Sequence, residues 1–290
     1  MSRRSLAGLA FTLLTLPSAG KEADLAAARA LLAARQPAEA QAAFERLHAA
    51  DPTQAEVNHA LGQLANRRGD PAQAIRYFTA ASTAEPLAGR HQQGLGDAYG
   101  RQAERAGIFG GLGLARQCVA AYERAVALEP GNVEFRLSLL EFYRLAPAIV
   151  GGGATRARAQ VEAIRQLDPN RGRIAAATLL AGEKRTAEAF AELASALEAQ
   201  PDDVVALYQV GRLAALTGQE LERGAAALRR YLELPEGMLP QAPGHASGHW
   251  RLGQVRERQS DRESARAAFE AALRLDPGFK PAAEALRRLR

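Results

Sequence analysis

The chain reads as an all-α helical solenoid of about seven antiparallel hairpins, on three observations. Seven times along the 290 residues a segment of helix-like composition ends near a proline. The clearest neighbours, Ala40, Phe44 and Pro52 and then Ala74, Phe78 and Pro86, stand at matching offsets 34 residues apart. Hydrophobic residues make up 47% of the chain but aromatics only 6%, so the core must be built mainly from Ala, Leu and Val at close helix–helix approach. A fixed period of this length marks units that cannot bury their own apolar face and gain a core by stacking. Length therefore does not count domains, and one continuous core is expected.

Residues 1–20 stand apart. Arg3 and Arg4 precede an uncharged stretch, Leu6 to Leu16, followed by Pro17-Ser18-Ala19-Gly20. That order predicts a signal peptide, with the alternative of an amphipathic first helix. The apolar run is too short to cross a hydrocarbon core, which needs about 20 helical residues. The basic start suits general secretion better than a twin-arginine signal. The expected location is thus periplasmic or secreted, with a cytoplasmic location as the alternative. Losing Arg3 and Arg4 with no acid lowers the formal charge from +5 to +3. Arg and Glu alternate through most segments, as on solvated helix faces, so nucleic-acid binding is not expected.

After Gly20 the repeats follow in order. The first, Asp24 to Pro52, lacks a Leu-Gly pair. The best is Ala55 to Pro86: Leu61-Gly62 and Ala65 fall on a first helix, Gly69-Asp70 makes the turn, and Ala74, Phe78 and Ala81 fall on a second. Gly62 and Ala74 let paired helices approach, Phe78 fills the gap between hairpins, and the residue before Pro86 is pushed out of helical geometry. Weaker copies carry Leu95-Gly96, Tyr99, Tyr122, Ala125 and Pro130, then Leu139, Tyr143, Ala157 and Pro169. Two more are degenerate, ending at Pro201 and Pro235. The last is clear, with Leu252-Gly253, Ala265, Phe269, Ala272 and Pro277, and Ala283 to Arg290 reads as a capping helix.

The spacings between closing prolines lengthen to 44 residues (Pro86 to Pro130) and 39 (Pro130 to Pro169). The surplus falls in two glycine-rich apolar stretches, 107–113 and 145–153, which predict loops within consecutive hairpins that pack on each other. Ile108, Phe109, Leu112, Ile149 and Val150 are their candidate contact residues, and part of that surface is expected to stay exposed to a partner or a membrane. A third stretch, Pro235 to Ser247, reads as a long connection.

This pattern from about residue 22 to 290 resembles the tetratricopeptide repeat family. The resemblance implies a right-handed superhelix and a protein or peptide partner held in a concave groove lined by first helices. Counting from each Leu-Gly pair or its equivalent, the family's groove positions fall on His59, Gln93, Leu137, Ala176, Tyr208 and Trp250. Neighbouring positions are Arg67, Arg90, Asp97, Arg101, Glu141, Arg144, Arg212 and Arg258. Cations mixed with aromatic anchors suit a peptide carrying acidic groups. The set departs from the Lys/Asn clamp by which some relatives hold a chaperone's C-terminal carboxylate, so that partner is not implied.

Catalytic motifs are not found in the sequence. Gly111-Leu112-Gly113 lacks the dinucleotide spacing, and Gly151-Gly152-Gly153-Ala154-Thr155 lacks a Gly-Lys-Ser/Thr ending. His245 and His249 would share a helix face, but Pro243-Gly244 and Gly248 make a poor helix start, so no metal is expected. Cys118, the single cysteine, excludes an intramolecular disulfide and reads as a buried thiol. A non-catalytic scaffold without cofactor is therefore the reading. The alternatives are a membrane-associated assembly factor in peripheral contact with lipid, or an enzyme subunit acting through the glycine-rich inserts.

Overall fold

A computed structural model describes residues 19–34, 36–238 and 242–289, and for residues 19–21, 108 and 109 the backbone alone. Among these residues the chain forms α-helices and short 3-10 turns, with no strand. Helix α1 (Ala19–Ala33) pairs with α2 (Pro37–Ala50) and α3 (Ala55–Arg68) with α4 (Pro71–Ala84), while α5 (Gly89–Leu128) folds back on itself. Then α6 (Val133–Leu145) pairs with α7 (Ala154–Leu167), α8 (Pro169–Gly182) with α9 (Thr186–Ala199), α10 (Val204–Thr217) with α11 (Leu221–Glu233), and α12 (His245–Arg258) with α13 (Arg262–Leu275). The expected cap is α14 (Lys280–Arg288). The signal-peptide segment lies outside the described residues, apart from Ala19 and Gly20 at the start of α1.

Local sequence explains where helices begin and end. Asp70, Asn132, Asp168, Asp203 and Asp261 accept hydrogen bonds from free backbone N–H groups at helix starts. Gly69 and Gly218 close α3 and α10 in the left-handed conformation, at φ 76° and 73°. Four of the helix pairs share one packing arrangement, in which a bulky second-helix side chain lies over a first-helix glycine. A Cβ on Gly62 or Gly94 would come within 2.8 or 2.5 Å of the Phe78 ring, and one on Gly253 within 2.5 Å of Phe269. Tyr122 over Gly96 and Leu228 over Gly211 repeat the arrangement.

The array divides into two compact units, one ending at Pro130 and the other beginning at Gly131, and buried side chains cluster between neighbouring helices within each. In the first, Phe44, Val57 and Leu61 pack between α1, α2 and α3, and Phe78 packs with Leu95 and Ala98. In the second, Phe190, Leu193, Val210, Leu228 and Tyr231 form the centre, and Phe269 packs with Ala282 and Ala285 beneath the cap.

The first insert corrects the loop expectation. Residues 108–113 are helical, and the 44-residue repeat absorbs its surplus by lengthening both arms of α5, to 89–106 and 108–128. Gly107 alone reverses the chain, at φ 69° and ψ −172°, a conformation open to glycine. Gly111 then lies against the Ala103 carbonyl oxygen, where a Cβ would stand 2.7 Å away. Leu112 is half-buried on this helix, and the side chains of Ile108 and Phe109 lie outside the described residues.

The second insert is a loop, as expected. A 3-10 turn (Ala148–Val150) carries Ile149 outward at 67% exposure, beside Leu145 at 64%, but turns Val150 inward at 4%, which removes Val150 as a surface contact. The Gly153 N–H donates to the Tyr143 carbonyl at 2.8 Å, and Gly151 and Gly153 take φ 101° and 147°. Residues 245–249 give another correction, because α12 begins at His245 in spite of the flanking glycines. No described helix is long and apolar enough to cross a membrane.

Two glycines of α5 should respond oppositely to alanine. Gly113 is exposed with nothing near its Cβ position, so Gly113→Ala should stabilise the protein by about 0.5–1 kcal/mol through helix propensity. Gly111→Ala should destabilise it, because the facing atom is backbone and cannot turn away. Melting temperatures of the two variants check this, and equal shifts would contradict the fold-back of α5.

Candidate functional site

His59, Arg67, Arg90, Gln93, Asp97 and Arg101, all singled out by register, line one cleft of about 350 Å³ between α3 and α5. The helices supply opposite walls: His59, Gln63, Asn66 and Arg67 come from α3, and Arg90, Gln93, Asp97 and Arg101 from α5. The Phe78 ring and Gly94 lie between them. The ring that sets the helix spacing thus also lines the cleft.

One end of the cleft is tied by a hydrogen-bonded chain. Glu85, in the turn between α4 and α5, holds Arg90 Nη2 at 2.8 Å and His91 Nε2 at 3.2 Å. His91 is fully buried, and its Nδ1 stands 3.0 Å from Nδ1 of His59. The hydrogen bond from His91, aided by Arg90, holds the Glu85 carboxyl below its ordinary range. Burial pushes both imidazoles down, and it takes His59, with the His91 and Arg90 charges adding, to about 4. Both rings are therefore neutral near pH 7.

At the other end, Tyr122 Oη donates to Asp97 at 2.7 Å. Desolvation raises the Asp97 carboxyl although the residue reaches the surface, and the Tyr122 hydrogen bond and Arg101 act against that rise. Arg67 is exposed and has no ion pair or hydrogen bond among the described residues. Asn66 is 8% exposed, and its Oδ1 is buried with no donor in reach. The cleft therefore offers exposed guanidiniums, amides and an unused acceptor. Beneath it, burial and the nearby Asp97 push the Cys118 thiol up to about 12, so it is no nucleophile.

The other register-derived residues separate. Glu141 pairs with Arg144 on α6, whose Nε donates at 2.9 Å. Arg212 on α10 is half-buried, and burial followed by the Arg251 and Arg144 charges lowers its pKa. Leu137 is half-buried and Ala176 buried. Tyr208 does not face a groove: it is 7% exposed, with its ring 5.6 Å from that of Tyr231 in the core, which corrects its reading as an exposed anchor. Trp250 is half-buried, its ring 5.8 Å from Phe279 and covered by the Arg251 guanidinium at 4.1 Å. Arg258 is also corrected. Its Nε and Nη2 donate to the carbonyls of Ala215 and Leu216 at 2.6 and 3.0 Å, so it caps α10.

Sequence reasoning missed Glu85, His91, Gln63, Asn66 and Arg251 as site residues. His91 follows Arg90 directly and Asn66 precedes Arg67, so adjacency to register positions was the signal available. Among the described residues no group of three or more His, Cys, Asp or Glu stands close enough to hold a metal. His249 is pushed down by burial, then by His245 and Arg274.

The lowered histidines fix the sign of a pH effect. The unfolded chain takes up protons below about pH 6.5 that the neutral native rings refuse, so their contribution is complete above that pH and is lost as pH falls toward about 4 for His59. Between about pH 7.5 and 5.5 the carboxylates stay ionised in the unfolded chain and the histidines dominate. Stability should fall across that window by at most about 1.4 kcal/mol per pH unit for each such ring. His59→Gln should reduce the fall, leaving the share of His91 and His249; an unchanged slope in thermal melts would refute the assignment. The groups facing His59 in this balance are Glu56, Glu85, Arg90 and His91.

The sequence matches the family model described as tetratricopeptide repeat over residues 25–81, 59–106 and 213–278, together about half of the chain. No curated protein matches the sequence. Among solved structures, a tetratricopeptide repeat protein from Parabacteroides merdae ATCC 43184 aligns with a TM-score of 0.62 at 14% identity, over 93% of this chain and 98% of that one. Yeast Tom70 aligns with a TM-score of 0.69 at 14% identity, over 97% of this chain and 58% of that one. A thermophilic TPR protein from Thermus thermophilus aligns with a TM-score of 0.53 at 23% identity, over 72% and 99%. At such identities the likeness is one of fold.

Proposed function

Because the chain belongs to the tetratricopeptide repeat family, whose fold is generally a protein-interaction scaffold, we propose that it is an exported, non-catalytic scaffold. In this reading the cleft between α3 and α5 receives an acidic segment of a partner protein. The observation that carries the reading is the convergence of Arg67, Arg90 and Arg101 on one cleft, with Arg67 lacking a counterion among the described residues. Such guanidiniums attract carboxylates at long range and bind them through paired N–H donors at contact. The export part rests on the basic, apolar and small-residue order of residues 1–20.

Charge reversal tests the binding part. Arg67→Glu combined with Arg101→Glu should leave the melting temperature within a few degrees, since both side chains are exposed, and should weaken partner capture in the native host at least about tenfold. Undiminished capture by the stable double variant would refute the cleft as the binding site. N-terminal sequencing of the protein from its native host tests export. A start near Lys21 is expected, and Met1 or Ser2 in a soluble cytoplasmic fraction would overturn it.

A further inference from the structure

The hydrogen-bonded chain at the His59 end of the cleft has a fixed direction. Glu85 is ionised and can only accept, so His91 must present Nε2–H to it. His91 is neutral, which leaves its Nδ1 a bare acceptor. Nδ1 of His59, 3.0 Å away, must then carry the other proton and donate. His59 is neutral as well, so the nitrogen it has left for the cleft it lines is Nε2, a bare acceptor. Glu85 thus sets the polarity of His59 through a residue that no ligand can touch, because His91 is fully buried.

A second acceptor stands on the same wall: Asn66 Oδ1 is buried in a residue 8% exposed and has no partner among the described residues. A buried acceptor without a donor carries a desolvation cost that a donor-bearing ligand would remove. Cations reach the same cleft as Arg67, Arg90 and Arg101. A bare anion would use the guanidiniums and leave both acceptors unmet.

Resting on the acidic-partner reading above, we infer that the cleft takes a group that donates a hydrogen bond as well as carrying a carboxylate: a peptide main-chain N–H on the His59 and Asn66 side, beside an acidic residue on the arginines. Glu85 and His91 are positioning residues in this arrangement. They hold His59 in the acceptor tautomer, and the arginines supply the attraction.

The test uses the full chain with labelled histidine and asparagine and three capped pentapeptides in NMR titrations. One carries a central Glu, one carries the same Glu with the backbone nitrogens on either side of it methylated, and one carries Gln in its place. The free protein should show His59 with a protonated Nδ1 and a bare Nε2. The Glu peptide should shift the His59 ring and the Asn66 amide and bind about tenfold or more tightly than either other peptide, as one lost interaction implies. Equal binding of the methylated peptide would overturn the inference and leave the acidic reading standing. Equal binding of the Gln peptide, or no shift with any of them, would overturn both. His59→Phe keeps a ring at that site and should bring the Glu and methylated peptides to equal affinity while the preference for Glu over Gln persists. If the variant keeps the difference, His59 is not the acceptor. A free-state His59 with a protonated Nε2 would equally refute the inference.

Discussion

The spacing between first helices rests on side chains of second helices pressed against glycine. Phe78 is the fullest case, because a Cβ on either Gly62 or Gly94 would collide with its ring, so one residue of α4 fixes how closely both α3 and α5 approach. Burying such a ring contributes about 1.5–3 kcal/mol, and truncating it would add the cost of a cavity. The same ring lines the cleft. Core and candidate site therefore share an atom set, and the distance between the arginines on the two walls depends on the ring.

What the sequence reveals is what is local. The Leu-Gly pairs and the closing prolines act within a few residues, and each is found in its expected helix or turn. The glycines of 107–113 read as a loop because helix propensity disfavours them, yet Gly111, on the returning arm, is required by the Ala103 carbonyl eight residues back on the first arm. Val150 looked available because its neighbours are apolar and glycine-rich; the 3-10 turn that buries it is set by Gly151 and Gly153.

Site residues divide along the same line. Counting along first helices brought His59, Arg67, Arg90, Gln93, Asp97 and Arg101 together because α3 and α5 keep the regular spacing. It failed at Tyr208, where the facing residue on α11 is Tyr231 and two rings close on each other. It also failed at Arg258, since a helix ending at Gly218 leaves carbonyls that a nearby guanidinium satisfies first. Glu85 and His91 lie outside the counted positions. Their part is visible only once the turn before α5 is seen to fold over the end of α3.

Arg67 is one of several exposed arginines with no ion pair among the described residues, and what marks the cleft is what stands beside it. Some arginines elsewhere do meet carboxylates: Arg29 with Glu56, Arg158 with Glu183, Arg171 with Glu134 and Arg230 with Asp202. Exposed pairs of this kind contribute about 0–1 kcal/mol each, so they chiefly neutralise the surface and set few constraints on the fold. In the cleft the nearby acids are already engaged. Glu85 is held by Arg90 and His91, and Asp97 accepts from Tyr122. Arg67 is left with its charge unanswered on a wall whose buried acceptor, Asn66 Oδ1, is also unanswered. An unpaired exposed arginine costs the fold almost nothing, but an unmet buried acceptor does carry a cost. The two together on one wall make the region between α3 and α5 the place where a ligand can add interactions that the folded chain lacks.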